Sequence, residues 1–259
     1  MSDAELAEPF VLLLANGAGD VLAANWRAAL SLTRCEKVFV LCSEAQESSV
    51  LEYTPGLLSE NVVLQPEDRG TAPAVALAMV QMALGGATTH DPVLVLRGDL
   101  APPESQELGH AAGRALEACV QHASLVVLSS PPTGPMAPFA WLGLGPAEDT
   151  ESRGDSDGRV VRKVLQVKTE VGMAEAAQYR NSGKWLWASG ALAFRHGYMG
   201  YVMGEVCEEL DVAMLLSGCL QQSDRQALAE EYALLPALDL EEAVLCGAPS
   251  VLCVDLRWD

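Results

Sequence analysis

Two charged residues of the sequence follow short apolar runs in a pattern that could bring them to one ligand site. Arg69 stands in the turn after residues 62–65, and Asp99 follows residues 92–96. If the two runs are parallel strands, both residues lie at the carboxyl ends of the strands, where α/β proteins bind ligands. A guanidinium group and a carboxylate on one rim would act on a charged ligand.

The segment between these residues predicts the elements that must position them. Val62-Val-Leu-Gln reads as a buried strand, and the turn Pro66-Glu-Asp-Arg-Gly exposes one arginine. Thr71 is the expected N-cap of a helix, since its hydroxyl can accept from a free backbone N–H, and Gly85-Gly86 should end that helix. Pro92-Val-Leu-Val-Leu forms the second strand. The whole segment therefore predicts a βαβ unit.

A glycine loop near the amino terminus is a second candidate site. Residues 10–15 are an apolar run of strand length, and Asn16-Gly-Ala-Gly-Asp20 follows at once. Strand, glycine loop and helix in this order suit a phosphate cradle, because glycine lets backbone N–H groups approach an anion. Taken alone, two glycines spaced by one residue indicate an ordinary tight turn more than a phosphate cradle. A dinucleotide-binding oxidoreductase is disfavoured, since the third glycine of that fingerprint is absent.

The overall charge excludes one class of function. The 259 residues carry a formal charge of −19, which argues against a protein that holds nucleic acid by its phosphate backbone. No apolar run approaches the roughly 18 residues that a membrane span requires. The start of the chain, Met-Ser-Asp-Ala-Glu, lacks the basic residues of a signal peptide. We therefore expect a cytoplasmic protein without membrane or nucleic-acid partners.

The cysteines are expected to be reduced. There are seven of them, an odd number, and none forms a Cys-x-x-Cys pair. Cys42, Cys246 and Cys253 stand in apolar runs, which favours a role as small buried residues.

Several segments resemble the mannose-1-phosphate guanylyltransferases, a family of sugar-1-phosphate nucleotidyltransferases. Gln65-Pro-Glu-Asp-Arg-Gly-Thr-Ala-Pro-Ala is similar to their glutamate-proline-x-x-arginine-asparagine-threonine-alanine-proline-alanine segment. Leu94-Val-Leu-Arg-Gly-Asp resembles the strand that ends in their metal-binding aspartate. Leu14-Ala-Asn-Gly-Ala-Gly-Asp-Val-Leu is similar to their glycine signature, and Trp185-Leu-Trp-Ala-Ser-Gly to their sugar-side block. Trp258-Asp259 resembles the start of a tryptophan-x-aspartate motif, after which the chain stops, as expected for a truncated member.

The resemblance implies a Rossmann-like nucleotidyltransferase fold of the α/β class, a mostly parallel twisted sheet of about seven strands with helices on both faces. It implies a single domain over residues 1–259, with a nucleotide half at about 9–130 and a sugar-side half at about 131–259. Further strands are expected at residues 38–42, 124–129, 139–145, 160–168, 185–194 and 250–257. Further helices are expected at 21–32, 104–121, 172–182, 198–216, 223–234 and 238–245.

The resemblance also implies roles for individual residues. The reaction joins a sugar phosphate to the α-phosphorus of a nucleoside triphosphate, so both reactants are anions that cations and Mg²⁺ must neutralise. The implied metal ligands are Asp99 and Asp259. The implied catalytic residues are Arg69 and Lys168. The implied nucleotide-binding residues are Gly17, Gly19, Arg69 and Thr71, and the implied sugar-binding residues are Lys168, Ser189 and Gly190.

The departures from the family pattern favour a divergent member with weak or lost activity. Asp20 and Val21 replace a threonine-arginine pair, which puts an acid near the expected phosphates. Ala188 replaces a sugar-binding asparagine, and Pro138 and Ala140 replace glycines of the sugar pocket. We expect a binding or assembly subunit that takes GTP or a sugar nucleotide and forms a homo-oligomer or a hetero-oligomer with a related nucleotidyltransferase. The alternative is an active, Mg²⁺-dependent enzyme whose missing cations come from Arg97, Arg257 or a partner chain.

Overall fold

Apolar runs of strand length form one nine-stranded sheet. The computed structural model describes residues 7–15, 19–98, 105–134, 140–145, 160–210 and 213–256. Each predicted strand is present, and the described residues form nine strands, where the resemblance implied about seven. The strands are β1 (Phe10–Leu14), β2 (Val38–Ser43), β3 (Val62–Gln65), β4 (Pro92–Arg97), β5 (Leu125–Ser130), β6 (Trp141–Leu144), β7 (Val161–Lys168), β8 (Trp185–Arg195) and β9 (Val251–Asp255).

The strand order explains why most carboxyl ends meet at one edge. The order is β3-β2-β1-β4-β8-β5-β9-β7-β6, with an additional pairing of β8 with β6. The described ladders give seven strands that run in one direction, and only β7 and β8 oppose them. The mostly parallel α/β fold expected from the sequence is confirmed.

Helices cover both faces of the sheet. They are α1 (Gly19–Leu32), α2 (Glu47–Tyr53), α3 (Thr71–Leu84), α4 (Ser105–His122), α5 (Met173–Ser182), α6 (His196–Val206), α7 (Ala213–Gln221) and α8 (Arg225–Tyr232). One apolar cluster joins the sheet to α3, α6, α7 and α8, and a second joins its other face to α1, α2 and α4. Because α3 lies between the sheet and other helices, ten of its fourteen residues are buried, and its sequence is apolar nearly all round.

The central βαβ unit forms as predicted, with one correction at its turn. Helix α3 ends at Gly85, as expected, but Thr71 is the first helical residue and not the N-cap. Gly70 holds the cap position with φ 81°, a left-handed conformation that favours glycine. The N-cap expectation for Thr71 was therefore wrong, because its hydroxyl bonds to a distant segment described below.

Two further details differ from the sequence-based expectations. The helix expected over residues 198–216 is interrupted, since Cys207 is extended (φ −154°, ψ 108°) and the chain turns there so that Leu210 is buried in the core. The helix expected over residues 238–245 is a π-helix, Leu240–Leu245. Directly after it, Cys246 is exposed, whereas Cys42 and Cys253 are buried as expected.

All seven cysteines are free thiols, as the sequence indicated. None of the described helices combines the length and the apolar character needed to cross a membrane.

Candidate functional site

Two adjoining cavities open at the carboxyl edge of the parallel strands. The larger cavity, of about 930 Å³, lies against the ends of β1, β2 and β3 and the turn at residues 66–70. The smaller cavity, of about 270 Å³, lies beside the end of β4. Leu14, Thr71 and Asp239 line both, so the two cavities are neighbours in one cleft. This is where open α/β sheets place their ligands.

The turn that carries Arg69 is fixed to a segment from the far end of the chain, residues 235–240, which we call the clamp segment. Arg69 Nη1 donates to the carbonyl oxygen of Leu235 at 2.9 Å, and Arg69 Nε pairs with Glu67 at 2.6 Å. The backbone N–H of Leu238 donates to the carbonyl oxygen of Arg69 at 3.0 Å. Two donor groups of the predicted phosphate-binding arginine are thus engaged within the protein.

The same segment occupies Thr71, the other predicted nucleotide-binding residue of this turn. Its hydroxyl donates to Asp239 Oδ2 at 3.1 Å and accepts from the backbone N–H of Leu240 at 2.8 Å. The N–H of Ala72 donates to the carbonyl oxygen of Leu238 at 3.0 Å. A Cβ on Gly70 would lie 2.4 Å from that oxygen, so only glycine allows this close backbone approach.

The larger cavity is acidic. Its lining includes four carboxylate residues, and among the described residues that line it there is no lysine, arginine or histidine. The acids are Glu44, Glu67, Asp68 and Asp239. Asp239 is engaged on both oxygens, because Oδ1 accepts from the backbone N–H of Glu241 at 2.9 Å and Oδ2 accepts from Thr71. An anionic ligand in this cavity would meet negative charge on several sides.

The glycine loop is described only in part. Gly17 lies outside the described residues, and Gly19 is the first residue of α1. A Cβ on Gly19 would lie 2.2 Å from the ring of Tyr53 in α2. Glycine at this position therefore leaves room for the Tyr53 ring against the start of α1, a packing role that needs no phosphate. Asp20, exposed in the first turn of α1, places an acid beside the loop.

The smaller cavity forms because two neighbouring strands separate. The β4–β8 ladder ends at the pair Val95 and Leu192, although β4 continues to Arg97. Beyond that pair β8 bulges at residues 189–190, where Gly190 has φ 76°. A Cβ on Gly190 would lie 2.2 Å from Arg97 Cδ, so the arginine side chain runs along the bare backbone of the bulge. Both residues line the cavity.

A carboxylate that the sequence analysis did not select also lines the smaller cavity. Glu241 is half-buried, and its Oε2 accepts from the backbone N–H of Ala140 at 2.9 Å. Burial raises the pKa of Glu241 above its ordinary value, and Asp239 adds to that effect. The Ala140 hydrogen bond and the nearby Arg97 oppose it. The signal for Glu241 in the sequence is weak: it is one of two acids in an otherwise apolar segment, Leu-Glu-Glu-Ala-Val-Leu.

The remaining predicted residues are dispersed. Lys168 ends β7 as an exposed side chain and lines neither cavity, although the next residue, Thr169, lines the smaller one. Ser189 is buried in the bulge, where its Oγ accepts from the N–H of Ala191 at 3.3 Å. Ala188 is buried, and its N–H donates to the carbonyl oxygen of Ala140.

The predicted metal ligands Asp99 and Asp259 lie outside the described residues. Within the described ranges, no group of three His, Cys, Asp or Glu side chains is arranged to hold a metal ion.

Comparison with known proteins gives two kinds of similarity. The chain is 29% identical over 170 residues to a mannose-1-phosphate guanylyltransferase of Escherichia coli K12 and 32% identical over 174 residues to one of Salmonella typhimurium LT2. In both cases the match covers 65% of this chain and 34% of the relative. The chain therefore spans about a third of the length of these relatives. No family model matches.

Solved structures share the fold over nearly the whole chain. A Thermus thermophilus protein described as a mannose-1-phosphate geranyltransferase superposes with a TM-score of 0.81 at 22% identity, covering 97% of this chain and 75% of that one. A UDP-glucose pyrophosphorylase complexed with UDP-glucose superposes with a TM-score of 0.53 at 10% identity, covering 97% and 91%. At these identities the structures establish a common fold.

Proposed function

We propose that the chain, which is similar in sequence to mannose-1-phosphate guanylyltransferases, is a guanylyltransferase-like binding subunit with weak or lost transfer activity. Its ligand would be a sugar nucleotide such as GDP-mannose, or GTP bound only weakly. The nucleotide would occupy the larger cavity and the sugar the smaller one. Its role would be assembly, either with itself or with a related, active nucleotidyltransferase.

The observation that carries this proposal is the charge of the larger cavity. A nucleoside triphosphate needs cations around it, whereas the described lining residues include four acids and no basic side chain. Two unit charges 4 Å apart near a protein surface interact by about 4 kcal/mol, and solvent screening reduces this value for exposed groups. Micromolar binding amounts to only about 8 kcal/mol. A few like-charge contacts would therefore remove much of the affinity for a triphosphate.

The engaged turn supports the same proposal. Transfer requires cations that stabilise the charge on the departing pyrophosphate, and losing one such group commonly costs a factor of about 10² to 10³ in rate. Arg69 already serves Glu67 and the Leu235 carbonyl, and Thr71 serves the clamp segment. Mg²⁺ would supply charge neutralisation in an active relative; the ligands that the resemblance implies for it, Asp99 and Asp259, lie outside the described residues.

An active transferase with altered substrates is the second candidate. It is favoured by Arg97, which lines the smaller cavity and could supply a cation that the family pattern places elsewhere. In that case Mg²⁺ would be required as cofactor. Arg257, the other arginine considered for this role, lies outside the described residues.

Calorimetry and a turnover assay distinguish the candidates. Titrations of the purified protein with GTP and GDP-mannose, with Mg²⁺ present, are expected to show weak GTP binding. Pyrophosphate release from GTP and mannose 1-phosphate should stay far below the rates typical of enzymes. Turnover at about 1 per second or faster would overturn the proposal of a binding subunit.

A charge-reversal variant tests the electrostatic reason. Glu44→Lys replaces an acid of the larger cavity and is expected to raise GTP affinity about tenfold. Glu52→Lys makes the same change in net charge on the exposed surface of α2, away from the residues that line the cavity. Equal effects of the two variants would show that only the overall charge matters. Light scattering of the protein, alone and mixed with a related guanylyltransferase, tests the assembly role, and a monomer in both samples would count against it.

A further inference from the structure

The sheet has an open edge at β3, the strand that leads to the Arg69 turn. Strand β3 is the last in the strand order, and among the described strands it pairs only with β2. The opposite end of the order is closed, because β6 pairs with both β7 and β8. Val62 and Leu64 of β3 are half-buried, whereas all residues of β1 are buried. An edge strand of this kind presents unpaired backbone N–H and C=O groups.

A third cavity, of about 420 Å³, runs along this open edge, and we call it the edge groove. Val62, Val63 and Leu64 all line it. Val63 belongs to the apolar cluster on one face of the sheet, whereas Val62 and Leu64 pack against the cluster on the other face. A cavity that contacts side chains of both faces lies beside the strand. The backbone edge of β3 is therefore one wall of the groove.

The rest of the edge groove is largely apolar. Leu77 from α3 and Leu228 from α8 line it, and both are buried in the core. Leu220, at the end of α7, and Ala229, exposed on α8, complete the wall that faces β3. An extended segment in the groove could pair its backbone with β3 and place alternate side chains against this wall.

The charges of the edge groove indicate the kind of segment that fits it. Glu44 and Asp224 line the groove, and the only basic residue among the described lining residues, Arg225, is 73% exposed and pairs with Glu44 at 3.8 Å. Ser59, another lining residue, donates to the exposed Glu60 at 3.3 Å. The groove is therefore net negative, like the whole chain at −19. A second copy would bring charge of the same sign, so charge complementarity favours a positively charged segment of another protein.

We propose that the edge groove binds an extended segment of another protein, which pairs with β3 as an additional strand. The segment has apolar residues at alternate positions and lysine or arginine between them. The four residues of β3 offer about 13 Å of edge, which suits a short linear segment. The proposal goes beyond the proposed function and holds whether or not the chain binds a nucleotide.

Synthetic peptides test the proposal directly. The probe is a fluorescently labelled peptide of about eight residues that alternates valine and lysine, and its binding is followed by anisotropy. Replacing the lysines by glutamates should weaken binding by at least about tenfold. Methylating alternate backbone nitrogens removes the donors on one edge of the peptide but keeps its side chains, and it should weaken binding as strongly. Amide hydrogen exchange of residues 62–65 should slow with the unmethylated lysine peptide alone.

Variants of the protein locate the binding site. Ala229→Trp fills the edge groove from the exposed surface of α8 and should weaken binding of the lysine peptide by at least about tenfold. Ala174→Trp makes the same change on the exposed surface of α5 and should bind as the wild type does. Glu44→Lys should weaken binding more than Glu52→Lys, which changes the net charge equally outside the groove.

The contrary outcomes are equally specific. Equal binding of the lysine and glutamate peptides would overturn the charge selectivity, and equal binding of the methylated and unmethylated peptides would overturn strand pairing. No binding of the lysine peptide at about millimolar concentration would overturn the proposal as a whole. Self-association of the protein that Ala229→Trp abolishes, while Ala174→Trp does not, would assign the groove to a second copy and also overturn the proposal.

Discussion

Arg69 gives the sharpest test of whether the turn is a structural element or a ligand site. Its Nη1 bond to the Leu235 carbonyl is a partly buried hydrogen bond from a charged donor, a type that contributes about 1.5–3 kcal/mol. Its pair with Glu67 is 30% and 46% exposed, so it adds at most about 1 kcal/mol. Arg69→Met keeps much of the side-chain volume and removes both interactions. We expect the free energy of unfolding to fall by about 2–3 kcal/mol.

Urea unfolding and calorimetric melting measure this change. For a chain of this size, each kcal/mol lowers Tm by about 2–4 °C, so the expected shift is about 4–12 °C. Arg34→Met is the control, because Arg34 also pairs with one glutamate, Glu8, at 2.8 Å but is 69% exposed. It should cost less than about 1 kcal/mol. If Arg69→Met leaves stability unchanged and abolishes GTP binding, the clamp interpretation is refuted and Arg69 acts on the nucleotide.

Three further changes test other parts of the site. Gly70→Ala would place a Cβ 2.4 Å from the Leu238 carbonyl oxygen at φ 81°, and it should lower the free energy of unfolding in urea by more than about 2 kcal/mol. Gly56→Ala, with φ 88° and open space around the Cβ, should cost only about 1 kcal/mol. Equal losses in the two variants would show that the contact with Leu238 is not the cause. Because burial raises the pKa of Glu241 above its ordinary value of 4.5, its stabilising contribution is present below that pH and is lost as the pH rises through the folded pKa. Glu241→Gln should therefore gain stability relative to the wild type as the pH rises through that range in urea unfolding, and a constant difference would contradict this. Gly19→Ala should lower the free energy of unfolding by about 1–3 kcal/mol in the wild type, and by less in a Tyr53→Ala background, because the Tyr53 ring then no longer meets the new Cβ. Additive effects in this double-mutant cycle would show that the ring does not cause the loss.

The strands and most helices could be predicted from local pattern because burial on both faces leaves a simple trace. Residues 10–15 are apolar without interruption, as a central strand must be, and α3 is apolar nearly all round for the same reason. The direction of a strand and its position in the sheet cannot be predicted from such a local pattern. Nothing local to β8 shows that it runs against β4 and β5, or that it bulges at Gly190. The cavity beside Arg97 depends on both features.

The site was harder to predict because its parts are distant in sequence. The Arg69 side chain bonds to Leu235, 166 residues away, and the N–H of Leu240 donates to Thr71, 169 residues away. Local reasoning assigned Thr71 to its own helix as a cap, since that is what a threonine before an apolar helix usually does. The competing partner Asp239 could be identified only once the chain had folded.

This arrangement limits how nucleotide binding could be strengthened. Freeing the Arg69 guanidinium group for a phosphate would break its bond to the Leu235 carbonyl, one of the bonds that hold the clamp segment, and that segment carries Asp239 and leads to Glu241. A new cation must therefore come from a lining residue that the clamp does not use. Glu44 meets this condition, because its side chain is 69% exposed and its only ion pair among the described residues is a 3.8 Å contact with Arg225. Its replacement by lysine removes an acid from the cavity and leaves every bond of the clamp segment in place. A change at position 44 therefore tests the charge of the cavity without disturbing the clamp segment, whereas a change at position 69 alters both.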